Sequence, residues 1–384
     1  MTVNKGPLII IGASARAAAQ SAKRAGYEPW CIDLFADRDL QAIAPVKRCH
    51  CDKYPLAILK MLDDAPPDAP VLYTGALENH PHLLESISEQ RTLLGCSAKA
   101  VRLARDPAAL ASMPAIESLG ICRVYHRRPL AAMFGSFLFK VAGGRRYLIK
   151  PCRGTSGRGI RHWSAPMPVP KDHYLQQYIE GAPISAMYHS DGWSATLLAT
   201  TEQIIGDGSF GADDFQFVGN IGPASLTSDQ RQALRTIGVA LAQRHDLRGV
   251  FGIDAILDHR GVIWPVEVNP RYTASIELVE RALGIAALSD HPLRQRDQIE
   301  KEQSCQGKAI VFAKSECQIP DLYDSFDQPN IADVPQIGET IRTGDPICTV
   351  FAVAEIRDTC LAKLYEMADK VYTLAQQTSP QTNG

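Results

Sequence analysis

Three oxygen-bearing side chains, Asp254, Glu267 and Asn269, stand at a spacing that could hold a cation, inside the stretch LRGVFGIDAILDHRGVIWPVEVNPRYTASIEL (residues 247–278). Two apolar runs, Val250 to Leu257 and Val262 to Val268, flank the turn Asp258-His259-Arg260-Gly261, which is the pattern of a β-hairpin. Side chains alternate across a strand, so Glu267 and Asn269 share one face and Val266 and Val268 take the other. The antiparallel return brings Asp254 to the same polar face. Burying two unpaired carboxylates is costly, so the group is expected to hold something cationic. Oxygen donors of this kind suit magnesium, which takes a few carboxylates together with phosphate oxygens. A hairpin whose acids pair with Lys or Arg is the plainer alternative.

Lys150 closes a short strand, Tyr147 to Lys150, and is followed by PCRGTSGRGI (151–160). Gly154, Gly157 and Gly159, with Thr155 and Ser156 between them, make a mobile loop whose backbone N–H groups can wrap phosphate oxygens. Lys150 can reach the same phosphates as a point charge. This is not a P-loop, because the lysine precedes the glycines and no Gly-Lys-Ser/Thr follows. A flexible hairpin tip would look similar. Arg271, directly after Asn269-Pro270, can fork onto a carboxylate or a tetrahedral oxyanion; its alternative is an ion pair with Glu267 or Glu277.

The elements that must position these groups follow from the patterning. Leu8 to Ile11, the turn Gly12-Ala13-Ser14-Ala15-Arg16, an Ala-rich helix up to Gly26 and a strand from Trp30 to Leu34 open a doubly wound domain. Asp33 lies where a dinucleotide fold would put its ribose acid, but the turn has one glycine where that fingerprint wants three. Val71 to Thr74 is a third strand, and the polar loop after it, Gly75 to His82, faces a ligand crevice or simply caps a helix at the surface. Arg91 to about Arg128 reads as a mostly helical connector, with a new domain from near Pro129. His162 to Asp172 reads as a loop, Tyr174 to Ile179 as a strand, and Ser194 to Ile205 and Phe215 to Asn220 as further strands. Thr227 to Leu247 is a helix with the stripe Leu234, Ile237 and Leu241. After the hairpin come a helix from Ala274 to Leu283, strands from Ala309 to Ala313 and Ile347 to Val353, a closing helix from Asp358 to Leu374 and a frayed SPQTNG tail.

The whole chain sets bounds on function. Its 384 residues allow two or three domains, and 45% hydrophobic with 21% charged residues is ordinary for a globular protein. A net charge of -2 provides no basic field for nucleic acid or an anionic membrane. Neither a signal-peptide pattern nor an apolar run of transmembrane length is present, so a cytoplasmic protein is expected. The ten cysteines are scattered; even Cys49-His50-Cys51 fits neither a zinc nor a redox spacing, and reduced thiols are expected.

In this order the elements resemble the ATP-grasp superfamily: a lysine-terminated strand and glycine loop (LIKPCRGTSGRGI), an adenine-linker strand (LQQYIEG), then the hairpin with GIDAIL and EVNPR. Within it, GASARAAAQSAKRAGY, YTGALENHP, IEGAPIS and EVNPRYTAS look most like the predicted ATP-dependent carboligases, a group that includes the tyramine–glutamate ligase of methanofuran synthesis. The resemblance implies an α/β ATP-grasp fold with a Rossmann-like front domain and connector (1–128), an ATP-grasp domain (129–300) and a β-rich C-terminal unit with a closing helix (301–384). It implies ATP and magnesium as cofactors, the metal on Asp254, Glu267 and Asn269. Phosphates would lie on Lys150 and on Gly154, Thr155, Ser156, Gly157 and Gly159, and adenine along Gln176, Gln177, Tyr178 and Ile179. Arg271 and Lys150 are the catalytic candidates. Two departures matter. Pro183 stands near the place where many members carry a ribose-binding glutamate. The superfamily's earlier phosphate lysine has no clear counterpart, Arg102 or Arg105 being the stand-ins and Lys99 less well placed. The activity implied is carboxylate–amine ligation through an acyl phosphate, with glutamate and tyramine or a similar amine as substrates in one-carbon cofactor synthesis, and a homodimer among the expected assemblies. A nucleotide-binding regulatory protein and a dehydrogenase working through the front domain are the alternatives.

Overall fold

The computed structural model of the protein describes residues 4–111, 118–125, 146–164, 167–289, 304–327 and 329–378. The junctions expected at 128/129 and 300/301 and the terminal SPQTNG lie outside these residues, as does part of the expected connector.

The first four strands, β1 (Gly6–Gly12), β2 (Tyr27–Asp33), β3 (Val46–Arg48) and β4 (Val71–Tyr73), form a parallel sheet in the order β3-β2-β1-β4. The helix Arg16–Arg24 makes the crossover from β1 to β2. Leu8, Ile9, Ile10 and Ile11 are all fully buried, Ile9 and Ile11 in one core and Leu8 and Ile10 in another. Both faces of the sheet are covered, which is why β1 reads as an unbroken apolar run. The short β3 was not expected from the sequence.

A small antiparallel sheet contains β5 (Val124–Tyr125), β6 (Tyr147–Pro151), β7 (Arg161–Trp163) and β8 (His173–Gln177), in the order β5-β8-β6-β7. Tyr147, Ile149, Trp163 and Leu175 fill its core. His162 therefore lies in a strand, where a loop was expected.

The largest sheet gathers β9 (Gly181–Asp191), β10 (Ala195–Ile205), β11 (Phe217–Gly222), β12 (Arg248–Asp258), β13 (Ile263–Asn269), β14 (Cys305–Phe312), β16 (Ile331–Ala332) and β18 (Pro346–Ala354). Its order is β13-β12-β9-β10-β11-β14-β18-β16, and β15 (Cys317–Gln318) pairs separately with β17 (Thr340–Ile341). One continuous sheet thus spans both sides of residue 300. The strand β9, absent from the sequence reading, lies between β12 and β10. Pro183 pairs with Ile256 of β12, while the pairing with β10 starts only at Ile184, so the missing N–H falls where β9 has a single neighbour. Helix Ser228–His245 opens with a capping box between Thr227 and Gln230 and buries Leu234, Ile237 and Leu241. Among the described residues, no helix is long and apolar enough to cross a membrane.

Buried charges bind the parts together. The Arg16 guanidinium donates to Glu277 at 2.5 and 2.9 Å and to Asp333 at 2.8 Å, and Lys308 reaches Glu277 at 2.7 Å. Arg16 is a 1% exposed bolt between the front domain, the helix Ala274–Leu283 and the C-terminal strands.

Candidate active site

The hairpin β12–β13 is an edge element of the large sheet, and its register sets Asp254 opposite Glu267 and Gly252 opposite Asn269. Asn269 Nδ2 donates to Asp254 Oδ2 at 2.8 Å. The pairing slips between Asp254 and Ala255, so Val266 is an extra residue on β13. Its carbonyl accepts from Gln176 Nε2 at 2.9 Å, and Val266, Glu267 and Val268 all contribute to the cleft wall. The strict alternation expected for Val266 and Val268 fails at this bulge. Two residues that the sequence reading passed over hold the other side of Asp254: Ser185 Oγ donates to Oδ1 at 2.7 Å and Gln203 Nε2 to the same oxygen at 2.9 Å. Their signal was a polar residue inside each of β9 and β10, facing the hairpin.

Asp254 and Glu267 are one carboxylate pair with two different environments. Burial, then the neighbouring Glu267 charge, pushes the Asp254 carboxyl up to about 6. Burial acts on Glu267 in the same direction, but the charges of Arg105, Lys150 and Arg271 outweigh it and hold this carboxyl below its ordinary value. Among the described residues no three His, Cys, Asp or Glu side chains cluster as a metal site. Asp254, Glu267 and Asn269 offer two carboxylates and an amide oxygen, a chemistry that suits Mg²⁺. Mutual repulsion in the pair is what a divalent cation would offset.

Lys150, at the end of β6 and 7% exposed, donates to Gln176 Oε1 at 3.2 Å. Burial disfavours its charge, yet Tyr174, Glu267 and Asp254 more than compensate, so the ammonium is held above its ordinary pKa. The glycine loop that follows is docked, not free. Phe217 N donates to Ser156 O at 3.0 Å, and a Cβ on Gly157, whose φ is +74°, would come within 1.8 Å of Phe215 O. Gly154 O accepts from Arg105 at 3.2 Å, and Arg158 reaches Gly344 O at 2.8 Å. Thr155, Ser156 and Gly157 line a cleft of about 570 Å³, part of it open to solvent, together with Lys150, Tyr174 and Glu267.

Of the stand-ins for the earlier lysine, Arg105 is in the cleft and Arg102 is on the surface against Glu85. Arg105 caps the helix Ala98–Ala104 and donates to Glu267 Oε1 at 2.5 Å and Asn79 Oδ1 at 3.1 Å. Lys99, on the same helix, is exposed. The linker is less open than expected. Gln177 N is taken by Arg123 O at 2.8 Å and Tyr178 N by Arg146 O at 2.9 Å, while the side chain of Gln176 is committed to Lys150 and Val266. Among the described residues, Ile179 N–H has no partner. Arg271 pairs with neither Glu267 nor Glu277; its Nε donates to Glu78 Oε1 at 2.6 Å. Tyr73 Oη, bonded to Pro270 O at 2.8 Å, fixes the backbone beside it. Asp33 does not stand at a ribose site: it is 1% exposed and accepts the N–H groups of Ala15, Phe35 and Ala36.

The fold is the ATP-grasp fold: a parallel front sheet, a small sheet carrying lysine and glycine loop, and a large sheet carrying the acidic hairpin. Residues 137–275 match a family model of the ATP-grasp domain. The whole architecture is similar to biotin carboxylase from Campylobacter jejuni (TM-score 0.70, 16% identity, 94% of this chain and 91% of that one). It is also similar to the biotin carboxylase domain of the 2-oxoglutarate carboxylase of Hydrogenobacter thermophilus, a structure with MgADP and bicarbonate (0.69, 16%, 93% and 88%). The L-amino acid ligase from Bacillus licheniformis shares it as well (0.64, 16%, 96% and 98%). No curated protein sequence matches the chain.

Proposed function

We propose that the protein is an ATP-dependent carboxylate–amine ligase that works through an acyl phosphate. The observation that carries this reading is the half-buried Asp254–Glu267 pair across the hairpin, whose Glu267 lines the cleft together with Lys150 and the glycine loop. Asp254, Glu267 and Asn269 would hold magnesium, which supplies charge offset to the β- and γ-phosphates. Lys150 stays protonated at the phosphates and balances charge moving toward the leaving ADP. The loop N–H groups from Gly154 to Gly159 orient the phosphates and exclude water. Arg271 anchors an amino-acid carboxylate of the substrate, while the reacting carboxylate attacks the γ-phosphorus; the amine then displaces phosphate from the acyl carbon. Similarity to an L-amino acid ligase supports the amide-forming direction. In its finer form the acid is glutamate and the amine tyramine or a similar arylalkylamine, in the synthesis of a methanofuran-type cofactor.

The test is incubation of the protein with Mg²⁺, ATP, glutamate and tyramine, with ADP and the amide followed by mass detection. A γ-glutamyl amide is expected, and Glu267→Gln should lower its formation at least about a hundredfold, the scale of losing a key electrostatic contact, without a change in melting cooperativity. Amide from a different acid–amine pair retains the ligase and removes the substrates. ATP binding with no product from a broad acid and amine library would mean a nucleotide-binding regulator instead.

A further inference from the structure

Around Arg271 several polar atoms are buried with nothing to bond. Glu78 is 3% exposed, and while its Oε1 accepts from Arg271 Nε, its Oε2 has no partner among the described residues. The Tyr54 hydroxyl and Thr273 Oγ1 are in the same condition. Thr273 holds the N-cap position of the helix Ala274–Leu283 yet makes no cap bond. The Tyr54 hydroxyl is pushed up by burial and, next, by the Glu78 charge, with Arg271 opposing, so both charges act at this hydroxyl. The Arg271 guanidinium is itself lightly held on its other edge, by Tyr272 O at 3.3 Å and Asn269 Oδ1 at 3.4 Å, and lies against the backbone of Gly75.

An unpartnered buried carboxylate oxygen costs a substantial fraction of a protein's stability unless something charged completes it. The Arg271–Glu78 pair is neutral. A simple carboxylate docked on Arg271 would put a second anion beside Glu78, and a lone amine would leave the loose edge of Arg271 unused. A ligand bearing both an anion and a cation satisfies both partners and leaves the net charge of the site at zero. We propose that Glu78 and Arg271 form a zwitterion site: an amino acid places its carboxylate on the NH1/NH2 edge of Arg271 and its ammonium between Glu78 Oε2 and the Tyr54 hydroxyl. This rests on the ligase reading of the same cleft and narrows its substrate class to amino acids, with Glu78 the residue that rejects acids lacking the amino group.

Binding can be read without turnover. The full chain, loaded with Mg²⁺ and a non-hydrolysable ATP analogue, is titrated in a thermal-shift assay with the twenty standard L-amino acids. Glutarate, succinate, propionate and 3-phenylpropionate serve as counterparts of glutamate, aspartate, alanine and phenylalanine without the amino group. At least one amino acid should bind ten or more times tighter than its counterpart. Glu78→Gln should remove that preference while the nucleotide analogue still shifts the melt, and Tyr54→Phe should reduce it severalfold without loss of fold. Equal binding of acid and amino acid, no binding by any amino acid, or full preference in both variants would overturn the site. Failure of the ligase reading appears elsewhere, as no response to the nucleotide analogue or no ADP formation with any acid and amine.

Discussion

Glu267 cannot serve Arg105 and a cation equally at the same time. In the structure Arg105 takes Glu267 at 2.5 Å and also carries Asn79 and the Gly154 carbonyl. Burial disfavours its charge, but Glu267 and Glu78 hold the guanidinium on, so it is a fixed cation beside the glycine loop. Removing it should have opposite effects on two ligands. In Arg105→Ala, Glu267 loses its largest charge partner and becomes freer for metal, so Mg²⁺ alone should bind more tightly than in the natural protein. ATP should bind about tenfold or more weakly, the scale of one charge-assisted hydrogen bond. Calorimetry with Mg²⁺ and, separately, with ATP distinguishes this from a merely structural arginine, for which neither affinity would move. At this scale the meeting of Asp254, Glu267 and Asn269 on one hairpin was legible, because a charged or amide group inside an apolar strand is conspicuous. The pairing of Arg105 with Glu267 was not: 162 positions separate them, and nothing local marks the contact.

At the scale of elements, the glycine loop works through its anchorage. Gly157 adopts a backbone conformation that side chains rarely take, and its α-carbon lies where any Cβ would strike Phe215 O. Gly157→Ala should therefore undock the loop from the entry to β11 and leave the sheets standing. The expected result is at least tenfold weaker ATP binding with new protease cleavage between residues 152 and 160. Unchanged affinity and an intact loop would show that the anchorage is dispensable. The sequence identifies this loop by its glycines and the hairpin by its two apolar runs around Asp258–Gly261. It conceals β9, since Gly181-Ala182-Pro183 opens like a linker and nothing local shows that only β12 flanks Pro183. The bulge at Val266 is hidden for a related reason: a one-residue slip in pairing leaves no mark in composition, yet it decides which side chains face the cleft.

The whole molecule depends on a buried charge network between its first and last thirds. Arg16, Glu277, Lys308 and Asp333 meet there, and Asp39 accepts the N–H groups of Asp333 and Val334 at 2.9 and 3.2 Å. Its carboxylates titrate in opposite senses. Glu277 is held well below its ordinary value against burial, by Arg16 and Lys308, so its contribution is present above the unfolded value and fades as the pH falls. Asp39 is pushed up to about 6 by burial, which the Arg16 charge only partly counters. A raised folded pKa means that its contribution is complete below about pH 4 and lost as the pH rises through about 6. Two units correspond to about 3 kcal/mol at most. Asp39→Asn removes that titration and one acceptor oxygen, so the variant should be the less stable at pH 4.5 and gain on the natural protein toward pH 7. Glu277→Gln should do the reverse, its deficit growing as the pH rises toward about 4.5 and staying constant above that, because the charge that Arg16 and Lys308 require is gone. Urea midpoints for the three proteins at pH 3, 4.5, 5.5 and 7 decide the matter. Parallel pH profiles would show that these carboxylates do not titrate with folding and that the junction is held by packing.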